Sequence, residues 1–531
     1  MTAAGTPARA RPTGRARSAL AGVLAAGLSL AVGRLGARLL DGAADPLAAV
    51  GRQVIDRTPA SVLEPVVGAV GTADKPLLVG GITAVVLALG AGAGVLHPRR
   101  RSAAVLVVAV LWTVGGLAIA VVPGAEVVPA LLLAGGSALV GLLALDLLAP
   151  RRTPAPPPAE TLPAETLPAE TLLGETRPAP LDRRTFVLRS SGLLVGVAAA
   201  LAAGSALGRR AADGLVRVLP AATRRAVRPA RPGSVLPGRT ALVTSNADLY
   251  RIDTALVAPV VDADAWSLSI TGLVDRPRRF SYQDLQAMPQ VEGWITLGCV
   301  GNEVGGPLVG TALWQGVLLA DLLRAAGVRP EATQLVGLSV DGYTGAFPSA
   351  LALDGRDALI AIGMNGVSLP VEHGFPARMV VPGLYGYESA VKWIEEVRLV
   401  DDTYEAYWVR RGYAKAAEFR TQSRIDLPRG GQGLPPGPVT VAGMAWAPHR
   451  GVRRVEVRVD DGPWLTARLD QDELGPDAWR PWSLELPLAA GDRTLTVRAT
   501  DGAGATQPAA RTDVLPDGAT GHHAVTVRVG G

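Results

Sequence analysis

Cysteine is almost absent from this sequence, because Cys299 is the only one among 531 residues. A single cysteine excludes an intrachain disulfide, an iron–sulfur cluster held by four cysteines and a haem attached through a CxxCH motif. Histidine is scarce as well, with five residues in the whole chain. These five form no HExxH motif or three-ligand cluster, so a zinc hydrolase is not predicted. His97 borders an apolar run and has no histidine partner in another such run, which disfavours a bis-histidine membrane haem.

Aromatic residues make up only 4% of the chain, although 48% of its residues are hydrophobic. Alanine, leucine, valine and glycine supply the difference, and they are concentrated in the first 210 residues. This asymmetry predicts transmembrane helices in the first part of the chain and not a larger soluble core. The formal net charge is +5. Because the arginines of the first half flank apolar runs and form no basic stripe, nucleic acid is not an expected partner.

Five apolar runs are predicted to be transmembrane helices, because each approaches the ~20 residues that a helix needs to span hydrocarbon. They cover residues 18–40, 77–96, 103–122, 127–148 and 191–207. Basic residues cluster at 9–17, 99–101, 151–152 and 183–184. Lys and Arg near helix ends prefer the cytoplasm. The clusters therefore predict a multi-pass protein of the cell membrane with everything after residue 207 on the extracytoplasmic side.

The predicted four-helix transmembrane region, residues 1–149, is followed by a segment rich in proline and glutamate. Residues 150–182 repeat the unit AETLP, and this composition predicts an extended linker because it buries too little apolar surface to fold. Arg183 and Arg184 open the segment 183–208, which contains the fifth helix. The pair resembles a twin-arginine export signal, and an ordinary positive-inside signal is the alternative. Arginine and proline over 209–248 predict a tether.

Two folded domains are predicted after the tether. Mixed strand and helix patterns over 249–402 predict an α+β domain, with strands at 265–270, 291–297 and 333–340. A helix over 318–326 is predicted to end at Gly327, which suits the left-handed C′ position. A connector covers 403–437. Short strands separated by Gly, Asp and Pro turns over 438–531 predict an all-β immunoglobulin-like sandwich.

Cys299 lies in a glycine-rich loop directly after the predicted strand 291–297. The loop carries Gly298, Gly301, Gly305 and Gly306, and glycines allow backbone to approach a bulky ligand closely. A soft thiolate at this position is a suitable metal ligand. The alternative is a buried free cysteine that packs as a small hydrophobic residue.

Three further motifs follow the Cys299-Val300-Gly301-Asn302 loop in a fixed order. They are GYTGAFP at 342–348, a run at 364–383 that contains His373-Gly-Phe-Pro-x-Arg378, and SAVKW at 389–393. Together with the TALWQGVLLADLL segment after the loop, they resemble the sulfite oxidase family of molybdopterin enzymes over about residues 249–529. The resemblance implies a mononuclear molybdenum with one pyranopterin dithiolene, bound through the Cys299 sulfur. It also implies oxygen-atom transfer, with a small-molecule oxo-acceptor or oxo-donor as substrate.

The same resemblance implies partners and site residues. Electrons pass to or from a separate carrier, a cytochrome or a quinone-linked protein, and the second domain resembles the family's dimerisation domain, so a homodimer is expected. Tyr343 matches an active-site tyrosine, Arg251 an arginine that faces the metal, and Arg450 an arginine that the second domain sends into the substrate pocket. The implied catalytic residues are Cys299, Tyr343, Arg251 and Arg450. The implied cofactor-binding residues are Tyr250, Arg251, Cys299, Asp341, His373, Arg378, Ser389 and Lys392.

One departure from the family pattern concerns the substrate. Sulfite oxidases have arginines after the CxGN segment, where this chain has Glu303 and Val304. Loss of positive charge and gain of a carboxylate weaken the binding of a dianion such as sulfite. Reduction of a neutral oxo-substrate such as a sulfoxide is therefore an alternative function. A membrane-tethered binding module with an inert Cys299 is the non-enzymatic alternative.

Overall fold

The structure is a computed structural model that describes residues 13–40, 43–58, 62, 74–122, 125–148, 183–213, 216–229, 236–470 and 474–530. The chain divides into two compact units. The first is Met1–Ala211 with Ala255–Val257, and the second is Ala212–Thr254 with Ala258–Gly531. The predicted linker 150–182 lies outside the described residues, as do residues 1–12 of the predicted basic N-terminus.

Helices form the described part of the first unit. They are α1 (Thr13–Gly36), α2 (Pro46–Arg57), α3 (Asp74–Leu96), α4 (Arg101–Ala120), α5 (Val127–Leu148) and α6 (Arg183–Asp213). Five of these, all except α2, are long and apolar enough to cross a membrane, which confirms the predicted number of such helices in the described part of the chain. The helix α2 was not predicted. Asp45 caps it by accepting the backbone N–H of Leu47 at 2.9 Å, and Pro46 follows at the first helical position.

Helices α1 and α3 pack closely because glycines line their contact. A Cβ atom at Gly22 would lie 1.9 Å from the carbonyl oxygen of Gly90, and one at Gly94 would lie 2.1 Å from that of Ser18. Small residues let helix backbones approach each other, which is the usual basis of helix association in lipid. The glycines of the apolar runs therefore act in packing.

Two sheets form the first domain of the second unit. The strands are β1 (Ser267–Gly272), β2 (Arg278–Ser281), β3 (Val291–Gly298), β4 (Val309–Leu318), β5 (Gln334–Ser339), β6 (Thr344–Pro348), β7 (Leu359–Met364), β8 (Val367–Ser368), β9 (Arg378–Val380) and β10 (Ile394–Val400). The helices are α7 (Tyr282–Ala287), α8 (Leu319–Ala326) and α9 (Gly386–Ser389). One sheet has the order β3-β4-β7-β8, with β9 paired to β7, and the other has the order β2-β1-β10-β5-β6.

The core of this domain explains why its strands read as apolar runs. Residues of both sheets form one buried cluster, with Trp314 on β4, Leu268 on β1 and Phe347 on β6. Strands buried on both faces lose the alternation of polar and apolar residues. The predicted strands near 265–270, 291–297 and 333–340 are confirmed with small shifts, and α8 ends at Gly327 with φ of 73° as predicted.

The last domain consists of two more sheets. Its strands are β11 (Gln422–Leu427), β12 (Gly433–Leu434), β13 (Gly437–Trp446), β14 (Val452–Val459), β15 (Leu465–Thr466), β16 (Arg468–Leu469), β17 (Arg480–Leu488), β18 (Gly491–Asp501) and β19 (His523–Val529). The sheet orders are β11-β13-β17-β16 and β12-β19-β18-β14-β15. Trp482 and Val441 of one sheet share a buried cluster with Val457 and Val497 of the other. The first of these strands, β11, begins within the predicted connector.

The predicted tether is wrong at its start, because residues 209–213 continue α6, while its later described parts, 216–229 and 236–248, pack on the rest of the second unit. Arg224 forms a parallel bridge with Val291 at the outer edge of β3, and the indole of Trp294 donates to the carbonyl of Val227 at 2.7 Å. Further along, buried Arg239 forms an ion pair with Asp470 at 2.6 Å. The segment thus covers a sheet edge that would otherwise expose unpaired backbone groups.

Candidate functional site

The hairpin β3–β4 places Cys299 at the rim of the first sheet. The last paired residues are Gly298 and Val309, so Cys299 is the first residue beyond the ladder. Its N–H donates to the carbonyl of Leu308 at 2.9 Å, which holds the loop closed. The side chain is half-buried. Burial raises the pKa of the Cys299 thiol to about 11, and a backbone hydrogen bond from Gly301 opposes this shift.

The last domain supports the cysteine loop from beneath. A Cβ at Gly298 would lie 2.2 Å from the ring of Phe419, and one at Gly305 would lie 2.1 Å from the ring of His523. Arg424 on β11 donates to the carbonyl of Gly306 at 2.7 Å. These contacts leave room only for glycine and make the position of the loop depend on the all-β domain.

Tyr250 and the start of α9 lie beside the cysteine. A Cβ at Gly386 would lie 3.1 Å from the phenol oxygen of Tyr250 and 3.5 Å from the carbonyl oxygen of Gly298. Burial raises the pKa of Tyr250 well above its usual value, the charge of Cys299 raises it further, and that of Arg378 lowers it. Tyr250, Cys299 and Arg378 are therefore close enough to influence one another. Arg251, the next residue, is exposed.

The guanidinium of Arg378 is a buried cation. Arg378 is only 5% exposed. Its guanidinium donates to the carbonyls of His373 and Ala390 at 3.1 Å each, and it stacks on Trp314 at 4.8 Å from the ring centre. Its Nε is buried without a hydrogen-bond partner, and no described acidic residue forms an ion pair with it. Burial lowers the pKa of Arg378 to about 10. An uncompensated buried charge is costly unless a ligand of opposite charge completes it.

His373 lies next to this cation and is neutral. Burial first, then the charge of Arg378, lowers the pKa of His373 to about 4. Its Nε2 is 2.7 Å from the carbonyl oxygen of Asn246, so Nε2 carries the proton and Nδ1 is left as an acceptor. At Gly374, with φ of 105°, a Cβ would lie 3.0 Å from the Cβ of Lys392. The glycine brings the backbone between His373 and Lys392 close together.

Lys392 and Asp341 both contact the segment that follows Tyr250. The ammonium of Lys392 forms an ion pair with Asp253 and donates to the carbonyl of Glu372 at 3.2 Å. The buried carboxylate of Asp341 accepts from the hydroxyl of Thr254 at 3.2 Å. These contacts bring the predicted binding residues 341 and 392 to the stretch 250–254.

Tyr343 follows Asp341 at the entrance to β6. Its phenol donates to the carbonyl of Tyr387 at 2.5 Å, and its N–H donates to Asp341 at 3.1 Å. Burial raises the pKa of Tyr343 well above its usual value, and the charges of Glu388 and Cys299 contribute to the same shift. The phenol therefore stays protonated at neutral pH, as a hydrogen-bond donor should.

Ser389 and Arg450 make internal contacts. The fully buried hydroxyl of Ser389 lies 3.1 Å from the carbonyl of Leu384 and 3.0 Å from that of Tyr385. Arg450 donates to Asp501 at 2.9 Å and to the carbonyl of Phe419 at 2.8 Å. Arg450 therefore holds the segment that packs under Gly298, and its described contacts are with that segment and β18.

Two groups at this site did not emerge from sequence reasoning. Glu388 is fully buried between Tyr387 and Ser389, and its only sequence signal is that it is the one charged residue in the stretch 384–391. Asn246 contributes a backbone carbonyl, which has no sequence signal at all.

Glu303 is exposed and Val304 is half-buried, both in the loop that follows Cys299.

Comparisons with known proteins place this site in a family. Residues 255–408 match the family described as the oxidoreductase molybdopterin binding domain, and residues 413–528 match the Mo-co oxidoreductase dimerisation domain. The mitochondrial sulfite oxidase of Homo sapiens is 34% identical over 288 residues, 46% of this chain and 53% of that protein. The sulfite oxidase of Gallus gallus is 32% identical over 328 residues, 52% of this chain and 70% of that protein.

The chain thus spans about half the length of the human relative. Among solved structures, the sulfane dehydrogenase SoxCD from Paracoccus pantotrophus is similar, with a TM-score of 0.47 and 26% sequence identity. That similarity covers 57% of this chain and 88% of the other.

Proposed function

This chain belongs to the sulfite oxidase family of molybdopterin-dependent oxidoreductases, and from that premise we propose that it is a membrane-anchored enzyme of oxygen-atom transfer. Its cofactor is a molybdenum–molybdopterin group. When bound, this group supplies the two-electron chemistry that moves an oxygen atom between water and a small substrate. Cys299 is the proposed metal ligand, because its soft sulfur stands at the rim of the sheet in a loop that approaches a bulky ligand.

The buried guanidinium of Arg378 is the observation that carries this proposal. It has two backbone partners, an unpaired Nε and no described acidic partner, so it lacks a negative charge of its own. A cofactor phosphate has the charge and the geometry to complete it. The residues present therefore fit the cofactor. His373, Lys392, Asp341 and Tyr250 would hold the rest of the group, and Ser389 would act by shaping the turn of α9.

The remaining proposed residues act on the substrate. Tyr343 keeps its phenolic proton at neutral pH, and we propose that the phenol turns from the Tyr387 carbonyl to donate to an oxygen of the bound substrate. Exposed Arg251 follows Tyr250 directly, and we propose that it adds positive charge beside the site. Arg450 fixes Phe419 beneath the cysteine loop, so we propose that it acts on the site through that contact.

Metal analysis tests the proposed function. Full-length protein from a host that makes molybdopterin is expected to contain about one molybdenum per chain, because one cysteine provides one metal site. Protein without molybdenum from such a host would favour the binding module, in which the all-β domain does the work.

The substrate is a small oxo-acceptor or oxo-donor. The charge of Glu303 affects whether an anionic or a neutral substrate is preferred. We expect wild type to bind sulfite poorly, because an exposed carboxylate in the cysteine loop repels an anion. Glu303→Gln or Val304→Arg should lower the Michaelis constant for sulfite about three- to tenfold, since solvent screens an exposed charge. The Michaelis constant for dimethyl sulfoxide, which is neutral, should change little. Efficient sulfite oxidation by wild type, or no response to either substitution, would show that Glu303 points away from the substrate.

The proposed topology has the N-terminus in the cytoplasm, five membrane crossings and the catalytic domain outside. Fusions test it: a reporter that is active only after export should be active when joined to Gly531 and silent at positions 150–180. The reverse pattern would place the catalytic domain in the cytoplasm. A second experiment tests whether the Arg183–Arg184 pair directs export. Both arginines are replaced by lysines, and the exported fraction of the protein is measured.

The domain division that we propose is 1–149, 150–182, 183–208, 209–248, 249–402, 403–437 and 438–531. The last domain is proposed to be immunoglobulin-like and to join two copies of the chain, since it matches a dimerisation domain. Electrons pass to or from a separate cytochrome or quinone-linked protein.

A further inference from the structure

Glu388 is a buried carboxyl group that the proposed function does not use. It lies in α9 and is 0% exposed. Its Oε2 accepts the backbone N–H of Ala346 on β6, while its Oε1 is buried without a hydrogen-bond partner in the described structure. No described basic side chain forms an ion pair with it. A carboxyl group in such surroundings is neutral, because an unpaired buried carboxylate is too costly.

The position of Glu388 links the cysteine loop to Tyr343. At the start of α9, a Cβ at Gly386 would lie 3.5 Å from the carbonyl oxygen of Gly298, next to Cys299. At its other end, a Cβ at Gly345 would lie 2.9 Å from the carbonyl oxygen of Glu388. The Tyr343 phenol donates to the carbonyl of Tyr387, the residue before Glu388. The carboxyl group itself accepts from Ala346, three residues after Tyr343, and is near enough for its charge to raise the pKa of Tyr343.

The ionisable groups around Glu388 leave it protonated. Burial raises the pKa of Glu388 well above its usual value, and a backbone hydrogen bond from Ala346 and the charge of Arg410 only partly oppose this. The phenols of Tyr343 and Tyr387 face it as well, and both have raised pKa values for which burial is the first cause and Glu388 the second. On β9, which packs against α9, the charged group is Arg378, and its guanidinium binds the carbonyl of Ala390.

We propose that Glu388 is a proton store that resupplies Tyr343 during reduction of a neutral oxo-substrate. This inference rests on the proposed function and specifies the direction of the reaction, which is reduction of the substrate. In reduction of a sulfoxide, the sulfur–oxygen bond breaks and the oxygen leaves as water. Two electrons come from the electron carrier, and two protons are required. Tyr343 gives one to the departing oxygen and regains it from Glu388, and the second comes from solvent. Glu388 regains its own proton from solvent before the next turnover, so both protons that the reduction consumes come in the end from solvent.

Glu388→Gln tests the assignment, because the amide keeps the shape and the acceptor for Ala346 but cannot give up a proton. With reduced methyl viologen as electron donor, kcat for dimethyl sulfoxide should fall roughly 100-fold, the lower end of what a general acid contributes, with KM and molybdenum content unchanged. Wild-type kcat should fall as the pH rises through the pKa of Glu388, because only the protonated carboxyl group donates. The kcat of Glu388→Gln should not change over the same pH range. Glu388→Asp should recover part of the rate, and Glu331→Gln, at an exposed site, should match wild type.

Infrared spectroscopy gives a readout that does not depend on turnover. The difference spectrum between wild type and Glu388→Gln at pH 7 should contain the carbonyl band of a protonated carboxylic acid. A carboxylate band, or a variant with the kcat and pH profile of wild type, overturns the proposal. Wild type that contains molybdenum and oxidises sulfite but does not reduce dimethyl sulfoxide overturns Glu388 as donor and leaves the enzyme assignment intact. Wild type without molybdenum overturns both.

Discussion

Replacing Cys299 with serine is expected to lower kcat at least about 1,000-fold, a loss of about 4 kcal/mol in transition-state stabilisation. The hydroxyl oxygen is a hard ligand that stays protonated near neutral pH, whereas a thiolate is soft and donates electron density to the metal. The fold should survive, because the backbone contacts of residue 299 with Leu308 and Asn302 do not involve its side chain. The measurement is steady-state turnover of full-length protein with an artificial electron carrier, normalised to molybdenum content.

Glu303→Gln is the matched control for this variant, since it changes a side chain in the same loop without touching the proposed ligand. It should retain the wild-type kcat on dimethyl sulfoxide and the same molybdenum content. X-ray absorption at the molybdenum edge should show one protein sulfur fewer in Cys299→Ser. Turnover of Cys299→Ser near that of wild type would rule out a thiolate ligand and restore Cys299 as a small packing residue.

Replacing Arg378 with methionine should weaken cofactor binding about 1,000-fold, because two charge-assisted hydrogen bonds to a phosphate are worth about 4 kcal/mol. Methionine keeps much of the volume beside Trp314 but carries no charge. The cofactor-free variant should melt within about 3 °C of the cofactor-free parent, because removing an unpaired buried charge offsets the loss of its hydrogen bonds to the carbonyls of His373 and Ala390. Molybdenum content of purified protein after dialysis and the melting temperature are the two measurements.

Arg276→Met provides the matched control, because Arg276 is exposed and its backbone N–H, not its side chain, bonds to Ala326. It should keep full molybdenum content. Arg378→Met with full molybdenum content after dialysis would mean that the guanidinium serves the protein alone. In that case its stacking on Trp314 and its two carbonyl contacts would be its whole role.

Short-range patterns made much of the architecture predictable. The five apolar helices, the strand before Cys299 and the end of α8 at Gly327 all follow from local rules of length, alternation and backbone conformation. The helix α2 was missed because its apolar face is short. Strand β11 was missed because its partner β13 lies across a turn and the sequence of β11 shows no clear alternation.

The candidate site was predictable only as far as motifs reached. His373 and Arg378 were named because the run that contains them resembles a family motif, and the structure places them near Tyr250 and Cys299. Glu388 was missed because its meaning depends on burial, and burial depends on how α9 packs against β6. Arg450 was named from a motif, but its described contacts are with Phe419 and β18 because the turn before β14 holds it there.

By itself, the amino-acid sequence determined the apolar helices, the order of the domains, the single thiol and the family motifs, since these depend on composition and on neighbours along the chain. The tertiary structure decided which groups meet. Long-range packing buries Arg378 without an acidic partner among the described residues, buries Glu388 against β6, and sets the cysteine loop on Phe419 and His523. The physical reason is that the charge state of a group depends on its desolvation and on neighbours brought from distant segments, and neither can be read from a local pattern.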